Sequence, residues 1–252
     1  MQNGFERHGI QHTSPSSLNT FAAAPDVWVC EKLFGKRGRM GAPAFRGILV
    51  EKAVVNVIAY GVAADDAIAE SVKNFNKETL FSNSDKIIKE REAIAPCVEM
   101  ALQELKQYGT PEFQSINKQD KIELVCNGEG WKLPVIGYTD LPFPKHGLIV
   151  DLKTTLKAPS EMSDPHRRQA AIYRKASGNM AVKFLYVTPK KAVWHECKDV
   201  DSTLAEVKQI LNRQERFLRL GDKELLRDVV HFDPSSFYWS GNEQGRMEVF
   251  GV

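Results

Sequence analysis

The segment Leu148-Ile149-Val150-Asp151-Leu152-Lys153 constrains this chain more than any other. Its aliphatic run calls for a buried strand, yet the strand runs straight into an aspartate and a lysine. Side chains alternate along a strand, so Asp151 and Lys153 project from one face. An ionised carboxylate behind buried aliphatics is costly unless something pairs with it. A divalent cation, with Lys153 nearby, would remove that cost. Asp-x-Lys is a weak signal by itself. Glu104-Leu105-Lys106 and Glu206-Val207-Lys208 have the same spacing, but both lie in helical patterns, where neighbours two apart do not share a face.

The surrounding pattern changes character along the chain. Residues 1–13 are polar and mixed and read as a loose N-terminus. Ser14-Pro15-Ser16-Ser17 starts a helix with a serine cap and a proline in the first turn. Pro25 restarts or kinks it, and a basic, glycine-bearing loop follows at residues 36–43. A second helix is expected over residues 45–60, with Ala44, Ile48, Val55 and Ile58 on its apolar face and Glu51 on that same face. Further helices are expected over residues 64–80 and from residue 84 to about 105, the latter kinked at Pro96.

After Gly109, strands are expected at residues 122–125, 133–139 and 148–152, separated by turns rich in Gly, Pro and Asn. A helix over 164–178, strands at 182–187 and 192–197, and a helix over 202–220 complete the pattern. Helices first, then a sheet interrupted by one helix, define an α/β (α+β) class: a central mixed β-sheet flanked by helices, with an N-terminal helical layer. Residues 14–252 are expected to form a single domain: a helical part (14–109), a sheet core (110–220) and a C-terminal segment (221–252).

Composition narrows the function classes only modestly. The 252 residues are 42% hydrophobic, enough for one substantial core. Lys and Arg total 34 against 32 acidic residues, a balance that leaves room for a local basic groove. Cys30, Cys97, Cys126 and Cys197 stand far apart without C-x-x-C spacing, so a structural zinc site is not expected and reduced thiols are. No segment approaches the roughly 20 apolar residues of a membrane helix. The expectation is a soluble protein of the cytoplasm, with no membrane partner.

Phosphodiester hydrolysis needs the residue types gathered near Asp151. Hard oxygen ligands hold Mg2+ or Mn2+, and the metal lowers the pKa of bound water and neutralises phosphate charge. A lysine beside it orients or deprotonates the water, or stabilises developing negative charge. Asp140 ends the preceding strand, which a proline-rich turn joins in a hairpin to the strand that ends with Asp151 and Lys153. Gln169 and Tyr173 are spaced i, i+4 on the following helix and share a face, with a surface glutamine and a core aromatic as the alternative. Glu51 is a carboxylate on an apolar helix face, which calls for a partner unless it reaches solvent from the helix edge.

These residues, in this order, resemble the PD-(D/E)XK nuclease superfamily, and within it the RecB-like nucleases with their stand-alone phage and bacterial relatives. The resemblance rests on S-P-S-S-L-N-T-F at Ser14, F-R-G-I-L-V-E ending at Glu51, G-Y-T-D ending at Asp140, V-D-L-K-T-T from Val150, and R-Q-A-A-I-Y ending at Tyr173. It implies a restriction-endonuclease-like core. Its metal ligands would be Glu51, Asp140, Asp151 and the backbone carbonyl of Leu152, holding one or two Mg2+ or Mn2+ ions. Lys153 would be the catalytic lysine, Gln169 would position lysine, water or DNA, and Tyr173 would support the same helix face.

The sequence departs from the family pattern in places. Glu51 stands where many RecB-like members carry histidine. Ala24 precedes Pro25 where iron–sulfur members place a cysteine, and only Cys197 lies in the last third, so no iron–sulfur cluster is expected.

Candidate DNA contacts are Ser14, Ser16, Lys36, Arg37, Arg39, Arg46, Lys157, Arg167 and Arg168, with Lys190 and Lys191 in a later turn. Phe143, Trp131 and Tyr138 are candidates for base stacking, with core packing or turn filling as the alternative for each. His146 and His166 read as surface imidazoles. The function expected is a metal-dependent DNA nuclease, an exonuclease, in recombination, repair or phage replication. It would act in a bacterial or phage-infected cell, on DNA and with a single-strand annealing or other recombination protein. An endonuclease of restriction or junction-resolving type and a non-catalytic DNA-binding protein of the same fold are the alternatives. No phosphate-binding G-x-x-x-x-G-K-[ST] loop is present.

Overall fold

The computed structural model describes residues 3–80, 84–113, 123–128 and 130–252. It is a mixed α/β fold in which a four-stranded mixed sheet is flanked by helices, as the sequence pattern led us to expect. The sheet runs β3 (Leu141–Phe143), β4 (Leu148–Thr154), β5 (Ala181–Val187), β6 (Ala192–Glu196). The β4–β5 pair is parallel, bridged by helix α8 (Asp164–Ala176), and the outer pairs are antiparallel. A separate antiparallel ribbon joins β1 (Glu123–Cys126) to β2 (Val135–Tyr138). Ile122, expected to begin a strand, lies outside the described residues.

Strand parity divides the core in two. Ile149, Val182, Phe184 and Tyr186 pack with α8 and with α9 (Val200–Leu218) on one face. Val150, Leu152, Leu185 and Val187 pack on the other, against α4 (Ala42–Tyr60), α5 (Ala64–Glu78) and α7 (Ile94–Leu105). Asp151 and Lys153 share the parity of Ile149 and so face α8.

The expected hairpin needs correction. The antiparallel partner of β4 is β3, and β2 belongs to the other ribbon. Leu141-Pro142-Phe143, read as turn because of Pro142 and the following Pro144, is a buried edge strand, where a residue without an N–H is tolerated. In the register that pairs Leu141 with Val150, Asp140 falls opposite Asp151 at the next position.

Proline positions explain three other boundaries. Ala24, forced out of the helical region by Pro25, has φ −146° and ψ 76° and separates α2 (Pro15–Ala23) from α3 (Pro25–Lys32), which is a break and not a kink. Pro43 lies in the first turn of α4, which starts at Ala42, earlier than expected. Pro96 likewise lies in the first turn of α7, and the break from α6 (Asp85–Glu92) comes at Ala93. The buried face of α4 is also not the expected one. It is Arg46, Leu49, Val50, Ala53 and Val54, whereas Ala44 is exposed and Ile48 is 46% exposed. Contacts with the sheet on one side and α5 and α7 on another rotate the burial away from the simplest apolar stripe.

The N-terminus, expected to be loose, carries α1 (Gly4–Arg7) docked on α9. Phe5 is buried, the Gly4 N–H donates to Glu215 Oε1 at 3.3 Å, and a Cβ on Gly4 would lie 2.4 Å from the Glu215 carbonyl oxygen. Only glycine permits that approach. The C-terminal segment holds α10 (Lys223–Val229) and α11 (Glu243–Phe250). Buried Asp26 ties it down by accepting from Trp239 Nε1 at 3.0 Å and the Asp233 N–H at 3.1 Å. All four cysteines are buried free thiols. Among the described residues no helix is long and apolar enough to cross a membrane.

Candidate active site

Asp151 is 1% exposed. Gln169, on the first turns of α8, donates from Nε2 to Asp151 Oδ2 at 2.7 Å. Lys153 Nζ lies 2.5 Å from Oδ1, so this buried oxygen has an ammonium charge beside it. Asp140 accepts the Leu152 N–H on Oδ2 at 3.0 Å, so a side chain takes the ladder position where β3 has ended. Tyr173 donates from its hydroxyl to the Tyr138 carbonyl at 2.8 Å, which fixes the backbone two residues before Asp140. A Cβ on Gly137 would sit 2.3 Å from Tyr173 Cε1, so the tyrosine reaches that carbonyl only because residue 137 is glycine.

Electrostatics mark the same place. Burial pushes the Asp151 carboxyl up to about 7; Lys153 opposes the shift, and Asp140 and Glu51 add to it. Burial acts to lower the Lys153 pKa, but Asp151 and Asp140 outweigh it and hold the ammonium above its ordinary range. Lys153 is therefore a cation here, suited to stabilising negative charge or orienting water more than to taking a proton. Burial, then Asp151 and Asp140, raise Tyr173 as well, so its hydroxyl stays a donor.

The structure thus brings together Asp140, Asp151, Lys153, Gln169 and Tyr173. Glu51 is half-buried and close enough for its charge to act on Asp151. Among the described residues, however, no three of His, Cys, Asp and Glu converge as one metal-holding group. The donors that would fit a divalent cation are the Asp140–Asp151 pair, with Glu51 near enough for its charge to act on Asp151. Such a pair suits Mg2+, which commonly takes one or two carboxylates and keeps several waters.

Several expected DNA contacts have other partners. Arg46 is 2% exposed, pairs with Glu90 of α6, and donates from Nε and Nη2 to Thr154 Oγ1 at 3.3 Å each. It ties α4 and α6 to the end of β4 and does not face solvent. Arg167 and Arg168 share Glu206 of α9; Arg167 also reaches Asp164, and Arg168 reaches Asn19 Oδ1 at 3.1 Å. Ser14 caps α2 by accepting the Ser17 N–H, and its hydroxyl lies 3.0 Å from that of Ser16. Lys36 pairs with Glu248, and its loop, including Arg37 and Arg39, packs on residues 241–248. Lys157 is exposed beside Lys153. Phe143 is buried in the core, Trp131 is half-buried with Lys208 Nζ 5.6 Å from its ring centre, and Tyr138 is 52% exposed.

His166 corrects the surface reading. It is half-buried, with Nδ1 2.6 Å from the Tyr186 hydroxyl and its ring against Phe184. The signal was present: His166 stands three residues before Gln169, on the same side of α8. Burial, then Lys153, lower its pKa from 6.5 to about 4. A depressed folded-state value means that stability is fully present above 6.5 and is lost as pH falls through 4. The difference corresponds to about 3 kcal/mol. Urea unfolding of His166→Gln is expected to show a shallower loss of stability between these pH values than the parent; parallel curves would refute this.

No family model matches this sequence and no curated protein matches it. Among solved structures, the crystal structure of SSO0001 is similar over 77% of this chain and 89% of that one, at 13% identity and a TM-score of 0.33.

Proposed function

We propose that this chain is a divalent-metal-dependent deoxyribonuclease of the PD-(D/E)XK type, acting as an exonuclease. The observation that carries the reading is Asp151: a fully buried carboxylate beside Asp140, with Lys153 and Gln169 both directed at it. Burying two acids beside a half-buried lysine at a sheet end costs stability, and a binding role accounts for that cost. Asp140 and Asp151, with the Leu152 carbonyl, would hold Mg2+ or Mn2+. When bound, the cation supplies Lewis-acid activation of water and of the phosphate.

The chain's own residues do the rest. Gln169 fixes the rotation of the Asp151 carboxylate. Tyr173 holds the strand that delivers Asp140. Lys153 presents an ammonium to the phosphate oxygens and the attacking water. The setting that goes with this activity is DNA recombination, repair or phage replication in the cytoplasm of a bacterial or phage-infected cell, beside a recombination protein.

A second reading is a non-catalytic DNA-binding protein of the same fold, in which Lys153 and Gln169 hold the buried Asp151 carboxylate as a structural contact. End-labelled linear DNA and covalently closed circular DNA, incubated with Mg2+, separate the possibilities. Linear DNA is expected to be degraded from its ends while the closed circle survives. Cleavage of the circle would replace exonuclease by endonuclease, and binding without cleavage of either would leave the non-catalytic reading.

A further inference from the structure

A cavity of about 400 Å3 opens beside Lys153, lined also by Thr155, Lys157, Ser163, His166 and Tyr186. That volume lies in the range of small-ligand sites, about 300–1,000 Å3. Two lysines line it and no carboxylate does. Lys153 is committed to Asp151, but Lys157 is exposed and forms no ion pair among the described residues. The Thr155 hydroxyl donates to the Lys157 carbonyl and accepts the Lys157 N–H, which sets the turn that carries this lysine at the rim. The Ser163 hydroxyl is not spent on capping α8. One wall is aromatic, with the His166 and Tyr186 rings 5.6 Å apart and locked by their hydrogen bond. Burial keeps that imidazole neutral, so the wall carries no charge.

An uncharged ring wall, hydroxyls and one unneutralised cation at the rim match the two halves of a nucleotide, base and phosphate. We propose that this cavity receives one nucleotide of the DNA strand adjoining the cleaved bond, with its base against the His166–Tyr186 wall and its phosphate at Lys157. The role of the pocket rests on the nuclease reading; its occupancy by a nucleotide does not.

Binding of a fluorescent deoxynucleoside monophosphate in metal-free buffer tests this, with the matching unlabelled monophosphate, its nucleoside and inorganic phosphate as separate competitors. The monophosphate is expected to compete better than either fragment. Lys157→Glu is expected to weaken it on the order of tenfold while leaving the nucleoside nearly unchanged. Ser163→Trp, which places a large ring at the cavity mouth, should weaken both. Unaltered binding in both variants, with circular dichroism like the parent's, overturns the proposal, as does displacement by inorganic phosphate alone as well as by the monophosphate. A chain that binds the nucleotide but leaves DNA uncut with Mg2+ refutes the nuclease reading and keeps the pocket. One that cuts DNA with an unchanged KM in Lys157→Glu refutes the pocket alone.

Discussion

Asp151→Asn is expected to reduce Mg2+-dependent DNA hydrolysis by about a thousandfold or more, with the chain still folded. Asparagine keeps the shape of the side chain and an oxygen that can accept from Gln169 Nε2. What it removes is the charge, and with it the attraction for a cation worth several kcal/mol at the transition state. Lys153→Ala is expected to cost about 10²–10³-fold, the usual result of deleting one preorganised group that meets developing charge. The two variants differ in a second readout. Asp151→Asn should lose the Mg2+-induced rise in thermal midpoint, whereas Lys153→Ala should keep it, since Asp140 and Asp151 remain. Lys153→Arg should not restore the rate, because a planar guanidinium cannot occupy the position of a compact ammonium 2.5 Å from Oδ1. Parent-like hydrolysis in both Asp151→Asn and Lys153→Ala would end the nuclease assignment.

What could be read of this site from the sequence follows the range of the interactions. Strand alternation is local, so Asp151 and Lys153 share a face by their spacing within the aliphatic strand that carries them, and the i, i+4 rule does the same for Gln169 and Tyr173. The hairpin as read puts Asp140 beside the turn and Asp151 at the far end of the next strand, so their association rests on the family resemblance. The short edge strand Leu141–Phe143 is hidden by its proline, and two elements were read as one. Glu51 was found because a carboxylate among apolar residues is conspicuous, yet the face of α4 that is buried depends on α5 and α7, which no periodicity within α4 encodes. Long-range partners were least legible. Phe5 sits among polar residues and gives no repeat, and its place is set by α9, about two hundred residues away. Arg46 reads as a solvated helix charge because its partner, Glu90, stands 44 residues further on.

Glu90→Ala is expected to destabilise the fold by about 3–5 kcal/mol, the cost of leaving a buried charge without its partner. Arg46 cannot escape by losing its proton, since a guanidinium stays charged in any protein environment. Its side chain is 3% exposed and that of Glu90 4%, so water does not replace the lost carboxylate, and the Thr154 hydroxyl alone remains as an acceptor. Against a typical total stability of about 5–15 kcal/mol, such a loss shifts the urea midpoint markedly. Removing both charges together, as in Arg46→Met with Glu90→Leu, is expected to recover most of it, because apolar side chains of similar size need no partner. The same double variant decides what Arg46 does. If the arginine serves only to join α4, α6 and the end of β4, DNA affinity and its dependence on salt stay as in the parent. If it contacts phosphate, affinity falls and the salt dependence weakens by about one charge. The buried geometry predicts the first outcome. Thr154 stands directly after Lys153, so a loosened Arg46 in Glu90→Ala should also lower the turnover of the molecules that remain folded.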